Sequence, residues 1–227
     1  MSTSTTPSQA VAPGRFEEAL PGLYASPPQA LPFAPTLDIR AFLLRRPEGN
    51  LLLYSVDGLA SSEAALAELG GVERQYLNHR HEAMFASDRL AVEFHVHENE
   101  REAVAKGIDV AESFSGRHFL GGDFEAIPTP GHTSGATAYL WNSGEHRFLF
   151  TGDTVYLSGG DWVAAILASS DRAGYLESLR LIRELDFDVL VPWAATGGQP
   201  YLVPTDRADV ERRVGAIIER VESGEDR

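Results

Sequence analysis

Asn78-His79-Arg80-His81-Glu82-Ala83-Met84 is the stretch on which the fold turns. Val72 to Leu77 ahead of it is predicted as a short strand, and the two histidines sit two residues apart just beyond its end. In an extended segment residues i and i+2 point to the same side, so both imidazoles can face one cation while Arg80 points away. Two other strand ends carry matching chemistry. His132 lies in Pro130-Gly131-His132-Thr133, a turn closing a strand, and Asp153 lies in Phe150-Thr151-Gly152-Asp153-Thr154, where another strand runs into a glycine turn. Any one of these residues alone reads as a hydrogen-bonded structural residue. Three imidazoles and a carboxylate on strand ends make a reasonable ligand set for one divalent transition metal, zinc first, with iron or manganese as the other choices.

Bulk composition narrows the partners. At 227 residues, 43% of them hydrophobic, the chain can bury a substantial core. Its formal net charge of -14 repels phosphate backbones, and no basic patch interrupts it, so nucleic acid is not an expected partner. Cysteine is absent, which excludes disulfides, thiolate metal sites and cysteine nucleophiles and leaves histidine and carboxylate as the available ligands. No apolar run reaches the length of a membrane span. Residues 1–14 are rich in Ser, Thr and Pro without a basic start or an apolar centre, and are expected to be a disordered leader rather than a signal peptide. Residues 15–227 are then one domain, with the cytoplasm as the default location.

Outward from the histidine loop, the pattern alternates strands and helices. Leu37 to Arg46 and Leu51 to Tyr54 flank the turn cluster Pro47-Glu48-Gly49-Asn50 and are predicted as a β-hairpin. Helices are expected from Ser61 to about Leu69, over Ala83 to Arg89, from Glu98 to Lys106, from Asp171 to Leu185 and from Thr205 to Val221. Strands are expected over Ala91 to His97, Arg147 to Thr151 and Val189 to Val191, with only strand and turn between Ile108 and Trp141. That order favours one α/β domain with helices packed outside two sheets.

The succession of hairpin, His-x-His loop, Thr129-Pro130-Gly131-His132-Thr133 and Thr151-Gly152-Asp153-Thr154 resembles the metallo-β-lactamase superfamily over about Gly22 to Gly224. Val96-His97-Glu98-Asn99-Glu100 resembles the family's strand-to-helix step, Gly144 to Thr154 its hairpin into an aspartate, and Leu179 to Trp193 the approach to its last ligand. The resemblance implies a four-layered αββα sandwich with metal held by loops at the edge of two sheets. It implies that His79, His81 and His132 are ligands of a first metal and that Asp153 takes the place of the carboxylate that bridges in two-metal members. Ala83, Met84 and Ala194 stand where the family has Asp, His and His, the private ligands of a second metal. A second ion would be left with Asp153 and a Met84 thioether, too few groups and too soft for zinc. A single metal site is therefore expected.

Three functions follow as expectations. The first is a metal-dependent hydrolase of a small ester, lactone or thioester, with Asp153 in a catalytic role and a small molecule as the partner. The second is a mononuclear iron oxygenase of sulfur compounds using His79, His132 and Asp153, as some members of the superfamily do. The third is a catalytically degenerate binding protein, and homodimerisation is left open. Glu82 is expected to be a solvated loop residue, His95 and His97 to belong to a half-buried strand, and His118 and His146 to lie at the surface. Gly159-Gly160 and Gly197-Gly198 are expected to be turns. Tyr156, Trp162, Trp193 and Tyr201 are expected either to line a pocket mouth or to fill the core.

Overall fold

A computed structural model describes residues 14–225, so the expected leader lies outside the described residues except for Gly14. In chain order the strands are β1 Glu17–Leu20, β2 Leu23–Ala25, β3 Gln29–Leu31, β4 Ala34–Ile39, β5 Phe42–Leu44, β6 Leu51–Leu53, β7 Arg74–Tyr76, β8 Glu93–His97 and β9 Val110–Phe114. They continue as β10 His118–Leu120, β11 Phe124–Pro128, β12 Thr137–Asn142, β13 Arg147–Gly152, β14 Tyr156–Ser158, β15 Asp161–Val163, β16 Val189–Pro192, β17 Ala194–Thr196 and β18 Val203–Pro204. The α-helices are α1 Glu63–Glu68, α2 Glu98–Val104, α3 Arg172–Glu184 and α4 Arg207–Ser223.

One sheet runs β1-β2-β5-β6-β7-β8-β9 and the second β10-β11-β12-β13-β16-β18. Period-two alternation packs them face to face. Tyr139, Trp141, Phe148, Phe150, Val189 and Val191 of the second sheet join Phe42, Leu51, Leu53 and Tyr76 of the first in one core. Their sequence neighbours Ala138, Leu140, Leu149 and Leu190 point the other way, onto Tyr175, Leu179 and Ile182 of α3 and Val210, Val214, Ile217 and Ile218 of α4. On the outer face of the first sheet, Phe94 and Val96 pack with Val104 at the end of α2. The result is the αββα sandwich.

Both long helices are capped by aspartate. Asp171 accepts from Ala173 N at 3.1 Å and Asp206 from Asp209 N at 2.8 Å, each cap contributing about 1 kcal/mol. The expected hairpin is shorter than its apolar run. β5 pairs with β6, Phe42 opposite Leu53, but the chain leaves the sheet at Arg40, and Leu37 to Ile39 belong to β4. β4 lies in a third, smaller sheet of order β15-β14-β17-β4-β3, whose Leu31, Ala34, Leu37, Tyr156 and Ala194 line one cavity with His81, His132 and Asp153. Among the described residues no helix is long and apolar enough to cross a membrane.

Candidate metal centre

Each candidate ligand follows the C-terminal end of a strand: His79 after β7, His132 after β11 and Asp153 directly after β13. β11 and β13 run the same way, since both pair antiparallel with β12, so their ends share one edge of the second sheet. Asn78 clips the first sheet onto that edge. Its carbonyl accepts from Thr137 N at 3.0 Å, and its side-chain amide donates to the carbonyls of Thr137 and Thr151. Tyr54, at a positive φ of 67°, supplies a second clip: its hydroxyl accepts from Gly152 N at 2.8 Å and donates to the Val191 carbonyl at 3.0 Å.

The loop after β7 is not extended throughout. His79 keeps extended backbone, but Arg80–Phe85 forms a 3₁₀ turn, so the two imidazoles do not converge by strand alternation. They converge nonetheless, at right angles and 5.0 Å between ring centres. Arg80 does point away, pairing with the buried Glu100 at 2.6 Å.

The ligand atoms of His79, His81 and His132 all lie within 4.8 Å of one another, and among the described residues they form the one such group of three or more. Asp153 Oδ2 sits 3.4 Å from His79 Nε2 and 3.5 Å from His132 Nε2, and His81 Nδ1 sits 3.1 Å from His132 Nε2. The far nitrogens are committed elsewhere. His132 Nδ1 lies 2.6 Å from the Ala165 carbonyl, which can only accept, so the proton is on Nδ1 and the Nε2 lone pair faces the cluster. His79 Nδ1 lies 3.2 Å from Glu82 Oε1, leaving Nε2 toward Asp153. Neither nitrogen of the buried His79 ring makes a well-formed hydrogen bond, its nearest polar neighbours being Glu82 at 3.2 Å and Asp153 at 3.4 Å, and an under-satisfied buried imidazole beside two more imidazoles and a carboxylate is what a metal site leaves. The donor set of imidazoles and carboxylate therefore fits one transition metal ion.

Charge is arranged around that cluster. Burial alone would lower His79, but Asp153 and Glu82 on either side outweigh it and raise its pKa to about 10. Burial lowers His81 to about 4, with His79 and His132 pushing the same way. His132 is also lowered, by burial first and then by His79. Burial would raise Asp153, yet the neighbouring imidazoles hold it below the usual carboxylate range.

Two residues that hold the site escaped the sequence reading. Glu82 is fully buried rather than solvated, accepting from Asn78 N at 2.7 Å and His79 N at 3.1 Å. Glu100 accepts from Arg80 N at 2.9 Å and Gly135 N at 2.7 Å, tying the His79–His81 loop to the turn that carries His132. The only advance signal for Glu82 was its place as the single carboxylate in the loop.

The remaining aromatic and histidine candidates divide. Trp193 and Tyr156 line the cavity at the site, Trp162 is core beneath α4, and Tyr201 packs on Phe42 under the Arg40 guanidinium. His95 and His97 are both buried, not half-buried. His95 stacks on Tyr76 and His97 caps α2 by accepting from Asn99 N. His146 is partly exposed beside Asp188, and His118 is partly exposed beside Phe114. Both glycine pairs are turns. Met84 and Ala194, two of the three positions where the resemblance called for second-metal ligands, are walls of the cavity, and Ala83 packs toward α2.

No curated protein matches the chain at a significant level by sequence. Solved structures match its fold. A metallo-beta-lactamase from Hirschia baltica is 14% identical, with 90% of this chain and 97% of that one covered and a TM-score of 0.67. One from Pontibacter korlensis is 15% identical, covering 90% and 98% with a TM-score of 0.67. A metallo-beta-lactamase family protein from Thermus thermophilus is 19% identical, covering 90% and 80% with a TM-score of 0.61. The family model described as the metallo-beta-lactamase superfamily matches residues 60–194, more than half of the chain and every ligand position discussed above. With the sandwich, the converging histidine cluster and that match in agreement, the chain belongs to the metallo-beta-lactamase superfamily.

Proposed function

We propose that the chain is a hydrolase of a small ester, lactone or thioester that works with one metal ion held by His79, His81, His132 and Asp153. The observation that carries this reading is the set of nitrogens and one carboxylate oxygen turned inward on a common point at the floor of a cavity of about 430 Å³. A bound divalent metal such as zinc supplies a Lewis acid for the carbonyl and lowers the pKa of water toward neutrality.

The chain's own groups do the rest. Glu82 and the Ala165 carbonyl hold the rings of His79 and His132 so that their Nε2 atoms face inward. Hydrolysis adds the hydroxyl of water to the acyl carbon, breaks the C–O or C–S bond and delivers the water's proton to the leaving group. Asp153 is the only carboxylate among the described residues lining the cavity, so with Oδ2 turned to the cluster its other oxygen would be the acceptor that orients the water and hands on that proton. The apolar walls limit competing water. His81 Nδ1, 3.1 Å from His132 Nε2, adds a fourth group and sets the cluster apart from the two-histidine, one-carboxylate triad of the iron sulfur oxygenases.

His132→Ala is the test. Metal content by elemental analysis and turnover of simple esters should both fall to background, and undiminished hydrolysis in that variant would overturn the proposal.

A further inference from the structure

A single exposed apolar side chain is ordinary, but here the large ones are not scattered. Among the described residues the exposed large hydrophobics are Phe33 at 68%, Met84 at 56%, Leu167 at 42% and Phe119 at 66%. Three of the four, all but Phe119, ring the mouth of the cavity above the histidine cluster. They come from separate elements. Phe33 is the tip of the β3–β4 hairpin, Met84 lies in the 3₁₀ turn after His79, and Leu167 lies in the segment whose Ala165 carbonyl holds His132. Three unrelated segments presenting apolar groups to one opening mark a binding site rather than incidental exposure.

The interior agrees with the rim. Away from His81, His132 and Asp153, the described lining residues are aliphatic or aromatic, with Tyr156, Trp193 and Ala194 among them. Among the described residues no lysine or arginine lines the cavity, and the chain as a whole carries a net charge of -14. A substrate arm bearing a carboxylate or phosphate away from the histidine cluster would lose its hydration against these walls with no cationic side chain to receive it. An uncharged apolar arm meets none of these penalties. About 430 Å³ falls in the range of small-molecule sites, with room for a chain of several carbons or a ring beside the reacting group.

We infer that the group the substrate buries here is an uncharged, apolar acyl chain or aryl group, seated between Phe33, Met84, Leu167 and Trp193 with its carbonyl end over the histidine cluster. This rests on the hydrolase reading for the identity of the reacting bond, and on the cavity alone for the character of the arm.

The test has a kinetic arm and a binding arm. With zinc-loaded protein, kcat/KM for p-nitrophenyl acetate, butyrate, hexanoate and octanoate should climb about fourfold per methylene until the cavity is full, the equivalent of about 0.8 kcal/mol per buried CH₂. The mono-p-nitrophenyl ester of adipic acid, with a terminal carboxylate, should fall at least tenfold below the hexanoate. In the binding arm, butyramide, hexanamide and octanamide are titrated into the protein and read by tryptophan fluorescence, since Trp193 is a wall. Affinity should rise with length, and Phe33→Asp with Leu167→Asp should flatten both series while leaving the circular dichroism melt in place.

Amides that bind with a length preference while no ester is turned over would leave the apolar cavity standing and remove the hydrolase. Esters turned over with a flat length profile, or the adipate ester used as well as the hexanoate, would overturn the inference and leave the hydrolase. Rim substitutions that split a dimer in light scattering but leave both series unchanged would also overturn it, making the rim an interface between copies.

Discussion

Glu82 and Asp153 face opposite nitrogens of one ring, His79 Nδ1 at 3.2 Å and His79 Nε2 at 3.4 Å. A carboxylate at Nδ1 holds the proton there and raises the basicity of Nε2, which is how a buried acid tunes a ligand it never replaces. Glu82→Gln keeps an oxygen for the two backbone N–H groups and removes the charge. Metal affinity in a chelator competition should fall about 10–100-fold while the urea midpoint barely moves. Glu82→Ala should instead cost roughly 2–3 kcal/mol in the urea midpoint, because the Asn78 and His79 N–H groups are left buried and unpaired. Unchanged affinity in the Gln variant would show that His79 is oriented by packing against Trp193, 5.5 Å away, and not by charge. His79, His132 and Asp153 were legible in the sequence because each follows a strand end or a glycine turn that local pattern reveals, whereas His81 was picked out by a strand alternation that the 3₁₀ turn replaces. Glu82 was not, since its burial depends on a 3₁₀ turn that no hydrophobic period announces. Glu100 was not, because its partners Arg80 and Gly135 lie 20 and 35 residues away along the chain.

At the scale of elements, the site depends on two strand ends from different sheets coming close enough to share a cation. Gly152 closes β13 at a φ of 54°, and a Cβ there would sit inside the Asn78 carboxamide that precedes His79. Both the turn and the contact require glycine. Gly152→Ala should therefore destabilise by roughly 2–4 kcal/mol in urea unfolding, combining backbone strain with forced separation of the loops. Gly144→Ala is the control: its φ is 90° but nothing lies within 4 Å of the added carbon, so about 1 kcal/mol of strain is expected. Equal losses at the two sites would mean that the Asn78 contact is not what positions the loop. The strands around Gly152 were readable from alternation, because Phe148 and Phe150 face one core while Leu149 faces the other. The third sheet was not readable. β17 is only Ala194–Thr196, β4 carries Pro35 and ends beside Arg40, and both pair at long range, so Leu37 to Ile39 looked like one arm of the hairpin that β5 makes with β6.

The whole molecule needs its two sheets pinned at both ends if the metal edge is to keep its geometry. At the site edge the pins are Asn78, Tyr54 and Glu100. At the opposite end, after β5 and before β11, Arg46 does this work with its side chain 1% exposed. Its guanidinium donates to both oxygens of Asp123, Nε at 2.9 Å and Nη2 at 2.6 Å, and also to the Gly49 and Leu120 carbonyls, with Trp141 Nε1 donating to the same carboxylate at 3.1 Å. Burial would raise the Asp123 pKa, but Arg46 outweighs it and holds the group below the usual carboxylate range. A folded pKa below the unfolded one means that the contribution is fully present above about pH 4 and lost as pH falls through the folded value. Asp123→Asn removes that dependence and leaves a buried guanidinium without its charge partner, which should cost about 3 kcal/mol at pH 7. Urea unfolding at pH 7 and at steps from pH 4.5 to 2.5 checks both halves: the native protein should approach the variant's stability as pH drops. Parallel curves with a constant gap would place the acid lability elsewhere, and metal content retained in the variant would show that the two ends of the sandwich are held independently.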